Sequence, residues 1–260
     1  MNPFSHDATI VTIRKSPALV EPIPLARMVE LETLTEEMAD LLISSGIRGR
    51  RNILWAGPTD SGKTSLLRAC AQEIDPRDHV AVVETSWEVY LPHLPNAVNF
   101  VEKHSAGRVI ASSADIGKAL LRQNFKRAVY GEIRFAEIQP AVDQMQSVAG
   151  GCLTTMHAWS PYTLNQRVVT CYGYAGRALS LEEARATVCG TFDLVVFSAK
   201  DKDGRRRITE IYETHEEQGY RPLYRLDVES GQHERVGKVS PDFMKAVHFA
   251  GGEVPMGLRP

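Results

Sequence analysis

Gly57-Pro58-Thr59-Asp60-Ser61-Gly62-Lys63-Thr64 sets two glycines four residues apart and follows them with Lys-Thr. This is the spacing of a phosphate-binding P-loop. Small residues let successive backbone N–H groups turn inward around a polyphosphate, and Lys63 reaches the β and γ oxygens. The Thr64 hydroxyl can then ligate the Mg²⁺ that bridges those oxygens. The flanks agree: Asn52-Ile53-Leu54-Trp55-Ala56 is an apolar run suited to a buried strand, and Leu66, Leu67, Cys70 and Ile74 fall on one helical face behind the loop. Strand, glycine loop and helix therefore come in the order a phosphate site requires. Gly57, Pro58, Thr59, Asp60, Ser61, Gly62, Lys63, Thr64 and Ser65 are the candidate phosphate-holding residues. A glycine turn with a surface lysine is the competing reading of the stretch taken alone.

Further along the chain, apolar runs alternate with helical patterns. Thr33 and Glu36 have capping-box spacing for a helix that starts at Thr33 or Thr35, with Met38, Leu41 and Leu42 on its apolar face and Gly46 limiting its length. A strand over 80–83 ends at Glu84, and a loop with Pro92 and Pro95 follows. A helix over 116–124 leads to a third strand, Arg127-Ala128-Val129-Tyr130, terminated by Gly131-Glu132. After a helix over 140–148, the glycine turn Gly150-Gly151 enters Cys152-Leu153-Thr154-Thr155-Met156-His157. Strands alternating with helices predict an α/β fold with a mainly parallel sheet covered on both faces. The C-terminal part changes character. Ser180 and Glu183 cap a helix to about Cys189, and the strands at 193–197 and 208–212 flank a turn at Asp203-Gly204, predicting a C-terminal β-hairpin. The basic run Arg205-Arg206-Arg207 beside that turn reads either as a solvated strand edge or as a partner-binding patch. Near the N-terminus, Thr9-Ile10-Val11-Thr12-Ile13-Arg14-Lys15 alternates like a strand and needs a pairing partner.

Composition narrows the class. The chain has 260 residues, 43% of them hydrophobic and 24% charged, which is ordinary for a globular protein. Its net charge of -2 lacks the electrostatic footprint of a nucleic-acid binder, so no direct nucleic-acid partner is expected. No apolar run approaches the roughly 18 residues that span a bilayer, and the N-terminus lacks a signal-peptide pattern. Cys70, Cys152, Cys171 and Cys189 are scattered, as buried thiols of a reducing cytoplasm would be.

Hydrolysis needs more than a phosphate cradle. Glu132, at the carboxyl end of a strand, is placed to reach the Mg²⁺ or its water, so Thr64 and Glu132 are the candidate metal ligands. Glu84 and Glu88 follow another strand, and one of them is a candidate general base. His157 ends its strand where an imidazole can sense the γ-phosphate, or it is simply structural. Arg122, Arg134 and Arg167 are candidate stabilisers of transferred charge, in cis or from a neighbouring subunit; the alternative for each is a surface ion pair.

Taken together, these residues resemble the ATPases of type II and type IV secretion and pilus assembly, most closely the tight-adherence pilus and conjugation-type branch. The order is the P-loop at 57–64, an acidic box from Glu84 to Glu88, Gly131-Glu132-Ile133-Arg134 after a strand, and a histidine box around 150–157. His157-Ala158-Trp159-Ser160-Pro161 is similar to the family's His-Ala-Asn-Ser-Pro, and Leu121-Arg122 before the third strand also looks like a family motif. The resemblance covers residues 10–250. It implies a RecA-like P-loop NTPase fold, with Lys63 and Thr64 on phosphate and Mg²⁺, Glu84 and Glu88 in the acidic box, Glu132 as the Walker B carboxylate and His157 as phosphate-state sensor. It also implies that Arg122, Arg134 and Arg167 complete a site between subunits of a hexameric ring. The chain departs from the family pattern at Thr85, at Phe125-Lys126 and at Trp159, departures that bear on hydrolysis more than on nucleotide binding.

The expectation is a RecA-like ATPase domain over 33–260, preceded over 1–32 by a leading segment that holds the remnant of a mostly absent N-terminal domain. It would use ATP and Mg²⁺, assemble as a homo-oligomer, a hexamer as the family's rings imply, and power secretion or pilus assembly. Its partners would be inner-membrane platform proteins, and its place the cytoplasm, peripherally at the inner membrane. Two rivals stand beside this reading: a nucleotide-binding regulatory subunit with little turnover, and a DNA-translocating conjugation motor.

Overall fold

The run Ile53-Leu54-Trp55-Ala56 forms a strand, β1 (Ile53–Ala56), whose four side chains are all fully buried. A strand apolar on both faces must lie inside a covered sheet. It does: β1 pairs in parallel with β7 (Leu153–Met156) on one side and β8 (Leu194–Lys200) on the other, with Ile53 opposite both Leu153 and Leu194. The computed structural model of the chain describes residues 21–105, 108–148 and 150–260. The strand expected over 9–15 lies outside those residues.

Around β1 the order is α1 (Leu25–Glu30), α2 (Glu36–Asp40) continuing as a π-helix over Leu41–Arg48, β1, α3 (Lys63–Ala71), β2 (Val80–Glu84) and β3 (Ala97–Val101). A small hairpin of β4 (Lys103–Ser105) and β5 (Arg108–Ala111) follows, then α4 (Ser113–Leu120), β6 (Arg127–Tyr130), α5 (Ile138–Ser147), β7, α6 (Pro161–Tyr174), α7 (Leu181–Thr191) and β8. The chain closes with β9 (Arg206–His215), β10 (Gly219–Leu226), β11 (His233–Arg235) and α8 (Pro241–Phe249). Nine strands make one sheet in the order β11-β10-β9-β8-β1-β7-β6-β2-β3. The strands from β8 to β3 in that order run parallel, and β9 to β11 add an antiparallel meander. The α/β architecture with a mainly parallel sheet is thus the expected one, and the C-terminal hairpin β8–β9 is present, extended by two further strands.

Alternation along each strand divides the core into two layers. Ile53, Trp55, Val82, Val129 and Val196 face Leu66, Leu67 and Cys70 of α3 and the helices near both ends of the described chain, while Leu54, Val83, Ala128, Tyr130 and Phe197 face residues from α4, α5, α6 and α7. Leu25 and Met28 of α1 belong to the first layer, so this part of the leading segment is packed on the domain. Thr35 is the N-cap of α2, its hydroxyl accepting from the Met38 N–H.

Two local expectations need correction. Gly46 does not end the first long helix. The π-helix runs through it to Arg48, and the glycine lies close against Ile53, since a Cβ there would stand 2.6 Å from Ile53 Cδ1 and push that side chain aside. The α4 helix begins earlier than 116, because Ser112 and Asp115 form a capping box, and it stops at Leu120. The Arg205–Arg207 run sits where β9 pairs with β8 alone, since the β9–β10 register ends at Glu210, so the strand is open on its other side there.

At the amino ends of the strands a buried charge cluster ties the layers together. Asp78 is 2% exposed and accepts from Arg127 Nε at 2.7 Å and from Arg50 Nη2 at 3.1 Å. Arg127 also donates to the Ile47 carbonyl at 2.8 Å. Burial opposes ionisation of Asp78, but the hydrogen bonds from Arg127 and Arg50 outweigh it and hold the carboxyl below its ordinary value. Removing one partner of such a pair strands the other charge in the interior. Asp78→Ala is therefore expected to cost about 3–5 kcal/mol of folding stability in urea unfolding, with Asp78→Asn costing less; an Ala variant within about 0.5 kcal/mol of wild type would contradict this role.

Candidate nucleotide site

Because β1, β2, β6, β7 and β8 run in one direction, the segments that follow them emerge at one edge of the sheet. The P-loop leaves β1 there. Gly57 N–H donates to the Met156 carbonyl at 3.3 Å, joining the loop to the end of β7. A side chain at Gly57 is excluded, since a Cβ would stand 2.2 Å from the Ser198 carbonyl oxygen of β8. Asp60 and Gly62 take left-handed backbone angles, φ 64° and 94°. Gly62 then caps α3, and Lys63 is its first residue. The buried Lys63 ammonium donates to the Pro58 carbonyl at 2.7 Å, so the loop curls around its own lysine. Burial lowers the Lys63 pKa; Glu132 opposes that shift and Arg134 adds to it.

Glu132 follows β6 and His157 follows β7, two strands joined at their ends by Ile133 N–H to the Thr155 carbonyl and by Thr155 Oγ1 to the Gly131 carbonyl, both at 2.9 Å. This pairing places His157 Nε2 at 2.9 Å from one Glu132 oxygen and Arg134 Nη2 at 2.5 Å from the other. His157 Nδ1 lies 3.4 Å from Lys63 Nζ. The imidazole thus bridges the P-loop lysine and the carboxylate. Burial pushes the Glu132 pKa up, but the hydrogen bonds from His157 and Arg134 prevail and bring it down to about 2. Arg134 is raised in turn, chiefly by its hydrogen bond to Glu132. Arg167 of α6 donates from Nη2 to the Arg134 carbonyl at 3.1 Å, holding the backbone that presents the guanidinium.

Glu84 ends β2 and turns inward. Its carboxylate accepts the Glu88 N–H at 3.1 Å and the Val89 N–H at 2.9 Å, and so shapes the loop that carries Glu88. Gly131 makes room for it, since a Cβ there would lie 2.9 Å from Glu84 Oε1. Burial raises the Glu84 pKa to about 7, against the lowering effect of those backbone donors. Glu84 is therefore a positioning group, while Glu88 opens on a cleft of about 240 Å³ beside Lys63, Thr64 and Ser65.

The structure brings Lys63, Glu132, His157 and Arg134 together, with Glu84, Glu88 and Arg167 around them. It does not bring Arg122. That residue follows α4 and precedes β6 at the amino end of the strands, where Lys126 N–H donates to the carbonyl of His79, just before β2. In this chain Arg122 lies at the edge opposite the P-loop. Sequence reasoning missed Arg68, which sits within the buried stretch of α3 and shares the cleft with Glu88. Its signal was a charge inside the run Leu66 to Ala71. Burial lowers the Arg68 pKa, opposed by Glu84 and Glu88. Lys200 and Arg206, both paired with Asp60, were missed as well. The Thr64 hydroxyl and the ionised Glu132 carboxylate are hard oxygen donors of the kind Mg²⁺ prefers when phosphates and water complete its shell. Among the described residues no cluster of three His, Cys, Asp or Glu side chains could hold a metal alone, and no helix is long and apolar enough to cross a membrane.

Residues 3–175 match the family model described as "Type II/IV secretion system protein", well over half of the chain. The chain belongs to this family. It is similar to the type IV secretion system protein PtlH of Bordetella pertussis, 30% identical over 179 residues that cover 66% of this chain and 53% of the relative. It is also similar to VirB11 of Bartonella quintana, 25% identical over 173 residues that cover 65% and 48%. The chain spans about half the length of the curated relatives it matches. Among solved structures, the VirB11 ATPase of the Brucella suis type IV secretion system, in complex with sulphate, aligns with TM-score 0.59 and 27% identity over 76% of this chain and 58% of that one. The pilus retraction motor PilT with bound ADP shares the fold, with TM-score 0.52 and 19% identity over 81% and 55%.

The raised pKa of Glu84 makes a prediction about stability. The folded chain keeps this proton up to about pH 7, whereas the unfolded chain releases it near the ordinary carboxyl value of 4.5. The stabilisation is complete below that lower value and is lost as pH rises through about 7, a change on the order of 3 kcal/mol. Urea unfolding of wild type and Glu84→Gln at pH 5 and pH 8 should show wild type losing stability relative to the variant at the higher pH. A difference that does not change with pH would contradict a proton on Glu84.

Proposed function

We propose that this chain binds ATP at the P-loop and hydrolyses it as the motor of a secretion or pilus-assembly system. The observation that carries the reading is the link from Lys63 through His157 to Glu132, because it joins three separate sequence boxes within contact distance of the P-loop lysine. In this account Lys63 exchanges the Pro58 carbonyl for β and γ oxygens, and the loop N–H groups hold the remaining phosphate charge. Thr64 and Glu132 would hold Mg²⁺, which supplies neutralisation of the phosphate charge. Glu88, on the loop that Glu84 shapes, orients the attacking water within hydrogen-bond reach. His157 contacts the γ-phosphate and reports its loss to Glu132. Arg134, seated on Arg167, stabilises the charge that develops in the transition state, while Arg122, exposed on the far edge, serves only a neighbour's site.

The motor reading carries further proposals. The chain works as a ring, by family likeness a hexamer, with its site completed between subunits, and it acts on inner-membrane platform proteins from the cytoplasmic face. In this reading the ATPase domain begins near residue 33, with α1 ahead of it packed on the same core. A DNA-translocating role is not favoured: the Arg205–Arg207 run contacts Glu32, Asp60 and Asp201 of its own chain rather than forming an open basic stripe.

Lys63→Ala should abolish ATP binding in calorimetry, and unchanged affinity would sink the assignment. Glu132→Gln should retain bound ATP while phosphate release falls about a hundredfold or more, and wild-type turnover would remove Glu132 from the chemistry. Light scattering should show larger particles when an ATP analogue is added; a monomer with full activity would contradict a site shared between subunits.

A further inference from the structure

Asp60 places a carboxylate within the phosphate loop, where it opposes the approach of a polyphosphate. The fold answers this from β8 and β9. Since β8 runs parallel to β1, its end delivers Lys200 to the same edge, and the turn after it delivers Arg206. Lys200 Nζ pairs with one Asp60 oxygen. Arg206 Nη2 takes the other at 2.5 Å, and Arg206 Nε donates to the Asp60 backbone carbonyl at 3.1 Å. Asp60 thus has two cations, and the lip of the loop carries one positive charge in excess.

The stem of Arg206 lies over the loop, since a Cβ on Gly62 would stand 3.1 Å from Arg206 Cδ. The root of β9 is fixed: Ile208 N–H donates to the Thr33 carbonyl at 2.8 Å and Arg205 pairs with Glu32 at 3.1 Å. Arg206 lines the 240 Å³ cleft that holds Lys63, Thr64 and Glu88, and it also lines an adjoining cavity of about 740 Å³ bordered by Met28, Leu31 and Leu66. It therefore stands where a bound molecule would pass from one space to the other.

We infer that Arg206 is a nucleotide-positioning residue held ready by Asp60, and that its guanidinium passes from the Asp60 carboxylate to the phosphate chain of a bound nucleoside triphosphate. The inference rests on the nucleotide reading above and deepens it. A guanidinium pairs with phosphate oxygens as well as with carboxylate oxygens, so Nη2 exchanges one charge-assisted hydrogen bond for another. Lys200 stays on Asp60 and keeps that carboxylate paired when Arg206 leaves. Asp60 is then a built-in competitor of the ligand, and it lowers affinity for phosphate-bearing nucleotides in particular.

The test is calorimetric titration of the full chain with ATP and, separately, with adenosine, for wild type, Lys63→Ala, Asp60→Asn, Arg206→Ala and the Asp60→Asn/Arg206→Ala double variant. Asparagine suits the left-handed backbone at position 60, so Asp60→Asn keeps the loop shape; thermal melting checks that each variant is folded. Arg206→Ala should weaken ATP binding about tenfold, the loss of one charge-assisted contact. Asp60→Asn should tighten it about threefold or more, and by a smaller factor when Arg206 is already absent. Adenosine affinity should be the same in all variants. ATP affinity within twofold of wild type for Arg206→Ala, weaker binding by Asp60→Asn, or a parallel change for adenosine overturns the inference while leaving the P-loop site in place. Wild-type ATP affinity that does not depend on Lys63 overturns the nucleotide reading and this inference with it.

Discussion

Parallel pairing on both sides of β1 is the constraint on which the rest of the structure depends. Every strand that runs with β1 must release its next residue at the same edge, so the P-loop after β1, the acidic box after β2, Gly131-Glu132 after β6 and His157 after β7 converge although up to about a hundred residues separate them. The same rule brings Lys200 of β8 to Asp60 and sends Arg122 to the far edge. Burial of both faces of these strands fixes the register, because a slip of one residue would turn Trp55 from the α3 layer into the opposite one.

Convergence alone would crowd like charges in a partly desolvated cleft. The site resolves this by giving Glu132, Asp60 and Lys63 each a hydrogen-bonding or oppositely charged partner. Glu132 lies between His157 and Arg134, Asp60 between Lys200 and Arg206, and Lys63 rests on the Pro58 carbonyl. Glu84 is the exception, for its donors are backbone N–H groups and its burial raises its pKa to about 7. These arrangements leave the phosphate-holding groups engaged by contacts that a ligand can replace without exposing an unpaired charge.

The features legible in the sequence were those written locally. The glycine spacing of the P-loop, the apolar run ending in Gly131-Glu132 and the capping box at Ser180 each depend on a few neighbouring residues, and each stands where the sequence reading put it. Features set by tertiary pairing were not legible. Strands β3 and β10 carry proline-flanked or mixed-polarity residues, and they are strands because β2 and β9 offer an unpaired edge. Gly46 reads as a helix stop until Ile53 is seen against it. Arg206 reads as part of a basic patch because nothing in its own neighbourhood reveals that β8 runs parallel to β1. Arg122 fits a family motif by sequence, but the direction of α4 decides which edge it occupies.

The most direct measurement of the central claim is a crystal structure of the chain grown with Mg²⁺ and a non-hydrolysable ATP analogue. The account predicts phosphate density enclosed by the backbone of residues 57–64, with the terminal phosphate between Lys63, His157 and the metal-bearing side of Glu132. Phosphates bound elsewhere, or held at the loop with His157 and Glu132 out of reach, would contradict it.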